Sequence, residues 1–365
     1  MTTFTDERFM ALALTLGRRG SGNVWPNPAV GCVLVRNGRI VGRGWTQPGG
    51  IPHAEVVALQ QAGKNAVGAT AYVTLEPCAH TGKTGPCLDA LLTAGIVRCV
   101  IATQDTDPRV AGKGAALLRL AGVEVSEGCL QTQAEAAHYG FFKRISCGSP
   151  RITLKLALSL DGRIATKTGE SQWITGLESR RDVHVLRSCH DAVLVGGGTA
   201  RVDDPALTVR GLGQISQPVR IVASKSLDFS GNALKASKKE APIWLCHAEG
   251  SSINPHWNEL ADKFLAVPQG LDGQLNLQLL VQMLGAEGLT SVLCEGGGTF
   301  AAGLLKDHLI DDLIVYSAGV VIGSDGEAGL GELGVDKLVL ATRFELVDCR
   351  KIGTDIRHHW RSINC

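Results

Sequence analysis

The chain has 365 residues, 44% hydrophobic and 19% charged, with 36 Lys and Arg against 35 Asp and Glu for a formal net charge of +1. That length exceeds what one hydrophobic core usually fills, so two domains are expected. Dispersed, nearly balanced charge leaves no footprint for nucleic acid and no apolar run is long enough to span a membrane, so neither is an expected partner.

Residues 1–10 carry Asp6, Glu7 and Arg8 and no apolar signal region, which points to the cytoplasm. A helix is predicted over 6–19, with Phe9, Ala13 and Leu16 at helical spacing, Thr5 as N-cap, and Gly20 and Gly22 closing it. AVGCVLV and GRIVGRGW flank Asn37-Gly38, the dipeptide of a two-residue hairpin. AEVVALQQAG reads as a helix ending at Gly63, AYVTLEP as a strand, LDALLTAG as a helix and VRCVIATQD as a strand, an α/β alternation. A polar helix then runs to Cys147-Gly148-Ser149-Pro150, a punctuating cluster that divides the chain into domains 1–147 and 151–365. The second part alternates again, with RITLKLALSLDGRIA followed by strands near DAVLVGGG, VRIVAS, APIWLCH, SVLCEGGG and DDLIVYSA. KASKKEAP reads as a charged surface loop.

Eleven cysteines without framework spacing are mostly small buried hydrophobes, and Cys32, Cys99 and Cys294 sit in core-like runs. Cys78 and Cys87 differ. Pro52-His53-Ala54-Glu55 opens a helix, and Pro77-Cys78 follows a strand with Cys87 nine positions further on. One imidazole and two thiolates are a ligand set of catalytic zinc, which keeps a fourth position open. Glu55, left outside the ligand set, can take a proton from an attacking water and deliver it to the substrate's ring nitrogen and leaving amine. An H-x-E tripeptide alone is common, and it is the ordered combination with Pro-Cys and a second Cys that carries the assignment. His80 as a fourth ligand would make the zinc structural instead.

PNPAVGCV, PHAEVVAL and AYVTLEPCAHTGKTGPC together resemble the deaminase half of the bifunctional riboflavin-biosynthesis deaminase/reductases. Nucleic-acid and cytidine deaminases separate their cysteines by two residues, and this chain by eight. Gly85 stands where the family pattern has Pro. The resemblance implies a cytidine-deaminase-like α/β/α domain in which Asn27, His80 and Lys83 contact a pyrimidine nucleotide.

In the second part, Gly196-Gly197-Gly198 and Gly296-Gly297-Gly298 each end a strand and could bring backbone N–H groups to a phosphate, though neither is a GxGxxG fingerprint and either could be an ordinary turn. RITLKLALSLDGRIA, TGESQWITG, DDPALTVR and CEGGGTFAAGLL are similar to the reductase half of the same family, which implies a dihydrofolate-reductase-like fold. By that similarity NADPH meets Ala157, Trp173, Thr199, Asp203 and the stretch Gly297, Gly298, Thr299, Phe300, Ala301, Ala302 and Gly303. The substrate meets Ser171, Arg187, Leu207, Arg210 and Glu295. Guanidinium forks at Arg187 and Arg210 suit a ribose phosphate, and Lys155 and Glu295 are candidates for the polar groups near the reduced carbon.

The resemblance thus implies hydrolytic deamination of a 2,5-diamino-6-ribosylaminopyrimidinone 5′-phosphate and NADPH-dependent reduction of its ribosyl chain to ribityl, with one zinc per chain. A homo-oligomer is plausible by family similarity. The rival readings are a nucleoside or tRNA deaminase fused to an unrelated oxidoreductase, and a zinc-stabilised module without catalysis.

Overall fold

A computed structural model describes residues 3–79, 85–107 and 111–363. The chain divides into two compact units, Met1–Gly148 and Ser149–Cys365. No helix among the described residues is long and apolar enough to cross a membrane.

The first unit is a five-stranded sheet in the order β2-β1-β3-β4-β5, formed by Gly31–Arg36 (β1), Arg39–Trp45 (β2), Thr70–Val73 (β3), Arg98–Ile101 (β4) and Glu124–Glu127 (β5). The first pairings, β1 with β2 and with β3, are antiparallel, while β3, β4 and β5 run parallel. Asn37 and Gly38 both take positive φ, 51° and 73°, as the tight hairpin requires. Phe4–Gly17 (α1) and Gln131–Cys147 (α5) accompany one apolar cluster built on Val33, Tyr72 and Val100. Ala54–Ala62 (α2), Cys87–Thr93 (α3) and Lys113–Leu120 (α4) cover the other, built on Cys32, Ala71 and Cys99.

The first helix begins earlier than its spacing predicts. Thr3, not Thr5, is the N-cap: its hydroxyl accepts from the Asp6 N–H while the Asp6 carboxylate accepts from the Thr3 N–H at 2.8 Å. Buried Asp6 also receives the Tyr72 hydroxyl at 2.9 Å and the Arg98 guanidinium at 2.7 Å, which ties the helix start to β3 and β4.

The second unit holds a nine-stranded sheet in the order β11-β10-β9-β8-β12-β6-β13-β16-β15. Its strands are Arg151–Leu158 (β6), Ala192–Gly196 (β8), Val219–Ala223 (β9), Ile243–Ala248 (β10), Lys263–Val267 (β11), Ser291–Cys294 (β12), Asp312–Ser317 (β13), Phe344–Ile352 (β15) and Asp355–Ser362 (β16). From β11 to β13 the pairings are parallel, and β16 and β15 add an antiparallel edge. Arg163–Ala165 (β7) and Glu327–Ala328 (β14) form a separate small pair. The helices are Leu177–Ser188 (α6), Gly197–Asp203 (α7), Asn232–Ala236 (α8), His256–Leu260 (α9), Leu277–Ala286 (α10) and Gly298–Lys306 (α11).

KASKKEAP is more than a charged loop. It contains the end of α8 and a 3-10 turn, and its carbonyls surround Arg220, a fully buried residue of β9. That guanidinium donates to the carbonyls of Ala206, Ser237 and Ala241 and to the Ser237 hydroxyl at 2.7 Å. Among the described residues no carboxylate is in salt-bridge contact with this charge, and oriented carbonyl dipoles hold it.

Two desolvated histidines set an acid limit. His138 of α5 meets the Thr74 hydroxyl at 3.1 Å, and burial pushes its pKa down to about 4. Burial lowers His190 to about 4 in the second unit. Unfolded histidine takes up a proton near 6.5, so between about 6.5 and 4 the unfolded chain binds more protons and stability falls as pH falls. Each histidine contributes a slope of about 1.4 kcal/mol per pH unit in that window. His138→Gln keeps the Thr74 partner and removes the titration. Calorimetry from pH 7 to 4.5 should show a shallower decline for the N-terminal transition, and an unchanged slope would exclude His138 as its source.

Candidate functional site

Two sites emerge, one in each unit. In the first, His53 is the N-cap of α2, Cys87 opens α3 after Pro86, and Cys78 lies in the loop beyond β3. Their donor atoms lie within 4.8 Å of one another, the group among the described residues able to hold a metal. His53 Nδ1 is 3.1 Å from Cys87 Sγ and 3.7 Å from Cys78 Sγ, and the Cys87 N–H donates to Cys78 Sγ at 3.3 Å. Donors on a tetrahedral zinc, at bonds of ~2.0 to 2.3 Å, stand roughly 3.5 Å apart. The triad fits that ion in chemistry and spacing. The hydrogen bond from the Cys87 thiol, aided by His53, draws Cys78 down to about 4, while that shared proton and burial hold Cys87 up.

Glu55, in the first turn of α2, is 4% exposed. Burial and the charge on Cys78 push its carboxyl up to about 7. Cys32 and Cys99, both fully buried, lie within its electrostatic reach. Asn27 donates its amide to the Gly50 carbonyl at 2.8 Å, which braces the segment leading into His53. His80 and Lys83 lie outside the described residues.

The second site is assembled by strand register. Cys294 of β12 pairs with Leu154 of β6, so Glu295 and Lys155 are the next residues along adjacent parallel strands. Arg187, from α6, grips Glu295 with both arms of its fork at 2.6 and 3.0 Å and donates to the Thr208 carbonyl at 2.8 Å. Burial alone would raise Glu295, but the Arg187 charge outweighs it and holds the carboxyl at about 2. Lys155 is pushed down by burial against the pull of Glu295, and Asp203 lies within its reach. The fork expected to meet a phosphate is thus committed to Glu295. Arg210 is exposed, and its backbone N–H donates to His184 Nδ1 at 3.2 Å. His184 was not singled out from sequence. It stands three residues before Arg187 on the same helix face, a spacing that is a signal only once Arg187 is known to matter.

The two glycine turns come side by side. They close β8 and β12, which are neighbours, and the chain leaves them in opposite directions, from β8 to β9 on one flank and from β12 to β13 on the other. In open α/β sheets ligands bind outside the carboxyl ends of strands at such a switch point. A Cβ on Gly196 or on Gly296 would press into the Phe300 side chain at 2.9 or 2.7 Å. Thr199 accepts the Gly297 N–H at 2.8 Å and links the turns. Ser224, also not foreseen, closes against Gly197. This cradle, open in backbone and followed by the N-terminus of α11, fits a dinucleotide phosphate. Of the other expected cofactor residues, Thr299, Ala301, Ala302 and Gly303 continue α11 and Ala157 lies in β6, while Leu207, expected to meet the substrate, is buried with φ 57°. Trp173 is 67% exposed, with the Arg180 guanidinium 4.5 Å over its ring, and Ser171 is two residues away.

Residues 3–103 match the cytidine and deoxycytidylate deaminase zinc-binding region, and residues 150–357 match the RibD C-terminal domain. The riboflavin biosynthesis protein RibD of Escherichia coli K12 is 43% identical over 97% of this chain and 98% of its own length. The chain belongs to the RibD family. The RibD structure from Acinetobacter baumannii superposes with a TM-score of 0.88 at 36% identity, over 98% of this chain and 99% of that one. A Thermotoga maritima structure, described as a diaminohydroxyphosphoribosylaminopyrimidine deaminase/5-amino-6-(5-phosphoribosylamino)uracil reductase, gives 0.86 at 33% identity, covering 98% and 99%. Like other RibD proteins, this one is a bifunctional deaminase and reductase of riboflavin biosynthesis, with a zinc-binding cytidine-deaminase-like fold and an NADPH-using dihydrofolate-reductase-like fold. A fusion to an unrelated oxidoreductase is not favoured.

The Arg187–Glu295 pair is nearly dry, with side chains 12% and 10% exposed. Arg187→Met should strand the carboxylate and cost about 3 kcal/mol in the C-terminal transition on urea unfolding. A loss below about 1 kcal/mol would show that water or Lys155 replaces the guanidinium.

Proposed function

We propose that residues 1–147 deaminate a 2,5-diamino-6-(5-phosphoribosylamino)pyrimidin-4-one and that residues 151–365 then reduce the ribosyl chain of the resulting uracil to ribityl. The observation that carries this is the buried Glu55 beside the His53, Cys78 and Cys87 donors, in a unit joined to one with twin glycine turns. When bound, zinc supplies Lewis acidity toward water and NADPH supplies a hydride. His53, Cys78 and Cys87 hold the metal. Glu55 moves one proton from the attacking water to the pyrimidine ring nitrogen and another to the departing amine, which leaves as ammonia.

Asn27, His80 and Lys83 orient the pyrimidine nucleotide. In the second unit Thr199, Asp203, Ala157, Trp173 and the run 297–303 hold the dinucleotide, and Ser171, Leu207 and Arg210 hold the substrate. Arg210, free of a carboxylate in the hydrogen bonds described, meets the ribose phosphate, while Arg187 fixes Glu295. Lys155 and Glu295 flank the opened sugar carbon, and with Glu295 held ionised, Lys155 is the donor of the proton that accompanies the hydride.

The cytoplasm suits a site that depends on reduced thiols, and the ten described cysteines are free. Association of copies through the β15 edge is supported by Leu338, Val339 and Leu340, which precede that strand in the chain and are 80%, 78% and 68% exposed.

Glu55→Gln should keep about one zinc per chain while ammonia release from the diaminopyrimidine nucleotide falls at least about a hundredfold. Ammonia release at the wild-type rate would end the proton-carrying role. Arg210→Ala should raise the KM of the reductase step at least about tenfold with little change in NADPH affinity, since a charge-assisted phosphate contact is lost. An unchanged KM would remove Arg210 from the phosphate site.

A further inference from the structure

Glu76 is 4% exposed and lies two residues before Cys78. Its carboxylate reaches across to the start of α4. One oxygen accepts the N–H groups of Gly112 at 2.9 Å and Asp105 at 3.3 Å, and the other accepts that of Ala115 at 3.0 Å. Gly112, the N-cap of α4, supplies no side-chain cap, so Glu76 performs that service from 36 residues away. Its own N–H donates to the Thr103 carbonyl at 3.0 Å. The next carbonyl, of Pro77, lies so close to Gly114 that a Cβ there would collide with it. The Glu76-Pro77 pair is therefore clamped to β4's extension and to α4 immediately before Cys78 leaves for the metal site.

We infer that Glu76 is a positioning residue for Cys78, holding its sulfur where zinc requires it by anchoring the loop to the first turn of α4. The inference rests on Cys78 being a zinc ligand. All three contacts are backbone donors, so the site needs a group that only accepts. Glutamine preserves volume but turns an NH2 toward at least one N–H, which removes a bond and sets two donors face to face. Misplacing the ligand weakens the metal bond, and loss of a residue that orients a ligand typically costs 10–100-fold in metal affinity.

The test is zinc release from the full-length, zinc-loaded protein into excess chromogenic chelator, well below the unfolding temperature. Glu76→Gln should release zinc at least about tenfold faster than wild type. The comparison is a core variant of α1, such as Leu14→Ala, whose Tm loss matches; it should release zinc at the wild-type rate. Release from Glu76→Gln no faster than from that variant would reduce Glu76 to a helix cap and overturn the inference. Should Glu76→Gln not fold, Glu76→Asp keeps the charge on a shorter arm and should still release faster, with wild-type release again overturning it. Wild-type protein that retains no zinc would instead refute the ligand assignment itself, and with it the inference.

Discussion

Helix α2 lies directly on the backbone of β2, and this close approach governs the deaminase end. Cβ atoms on Gly42 and Gly44 would collide with the carbonyls of Ala58 and Ala54, so neither position admits a side chain. Ala54 and Ala58 answer from the helix as the small, fully buried residues of the contact. With the helix seated that deep, its N-cap and first turn fall at the end of the sheet, where the loop after β3 delivers Cys78. A larger residue at Gly44 would lift the helix start and carry His53 and Glu55 away from the thiols together. Such packing transmits displacement because the interior has no slack to absorb it.

The grouping of His53, Cys78 and Cys87 was legible because each residue sits beside a local signal: a helix start at His53, a strand end before Cys78, and a proline before Cys87. The start of α1 was misread because helical spacing marks only the buried face, while the Thr3–Asp6 capping box lies ahead of the first apolar position and the Asp6 ion pair with Arg98 reaches 92 residues along the chain. Window-based periodicity sees neither. The chain's last two strands escaped notice for another reason: β15 lies at the sheet edge and is mostly exposed, so it lacks the apolar alternation that marks a half-buried strand. KASKKEAP displayed its lysines but not the carbonyls that hold Arg220, because backbone acceptors leave no trace in side-chain identity.

The glycine turns show what strand order adds. A run of glycines after a strand is an ordinary turn by itself, and two of them a hundred residues apart remain two ordinary turns. Their meaning arises when β12 inserts between β8 and β6, out of chain order, and brings both to one crevice. Phe300 then fills the space that both turns keep clear of side chains, and Thr199 spans from one to the other. The cradle belongs to the topology, whose non-consecutive neighbours no local window can specify.

Two little-exposed glutamates, Glu55 and Glu295, show how the same side chain is given opposite charge states. Glu55 faces sulfur and apolar core, and both burial and the Cys78 charge favour its protonated form. Glu295 is held by the Arg187 fork with Lys155 alongside, and the cations more than offset the cost of burying it charged. Without metal, a carboxyl set beside a thiolate in an apolar site is pushed toward its protonated form, whereas one gripped by a guanidinium stays ionised until strongly acid conditions. The first arrangement suits a step that moves protons, and the second suits a fixed charge that orients a substrate and a lysine. Exchanging the neighbours, not the glutamates, would exchange the roles.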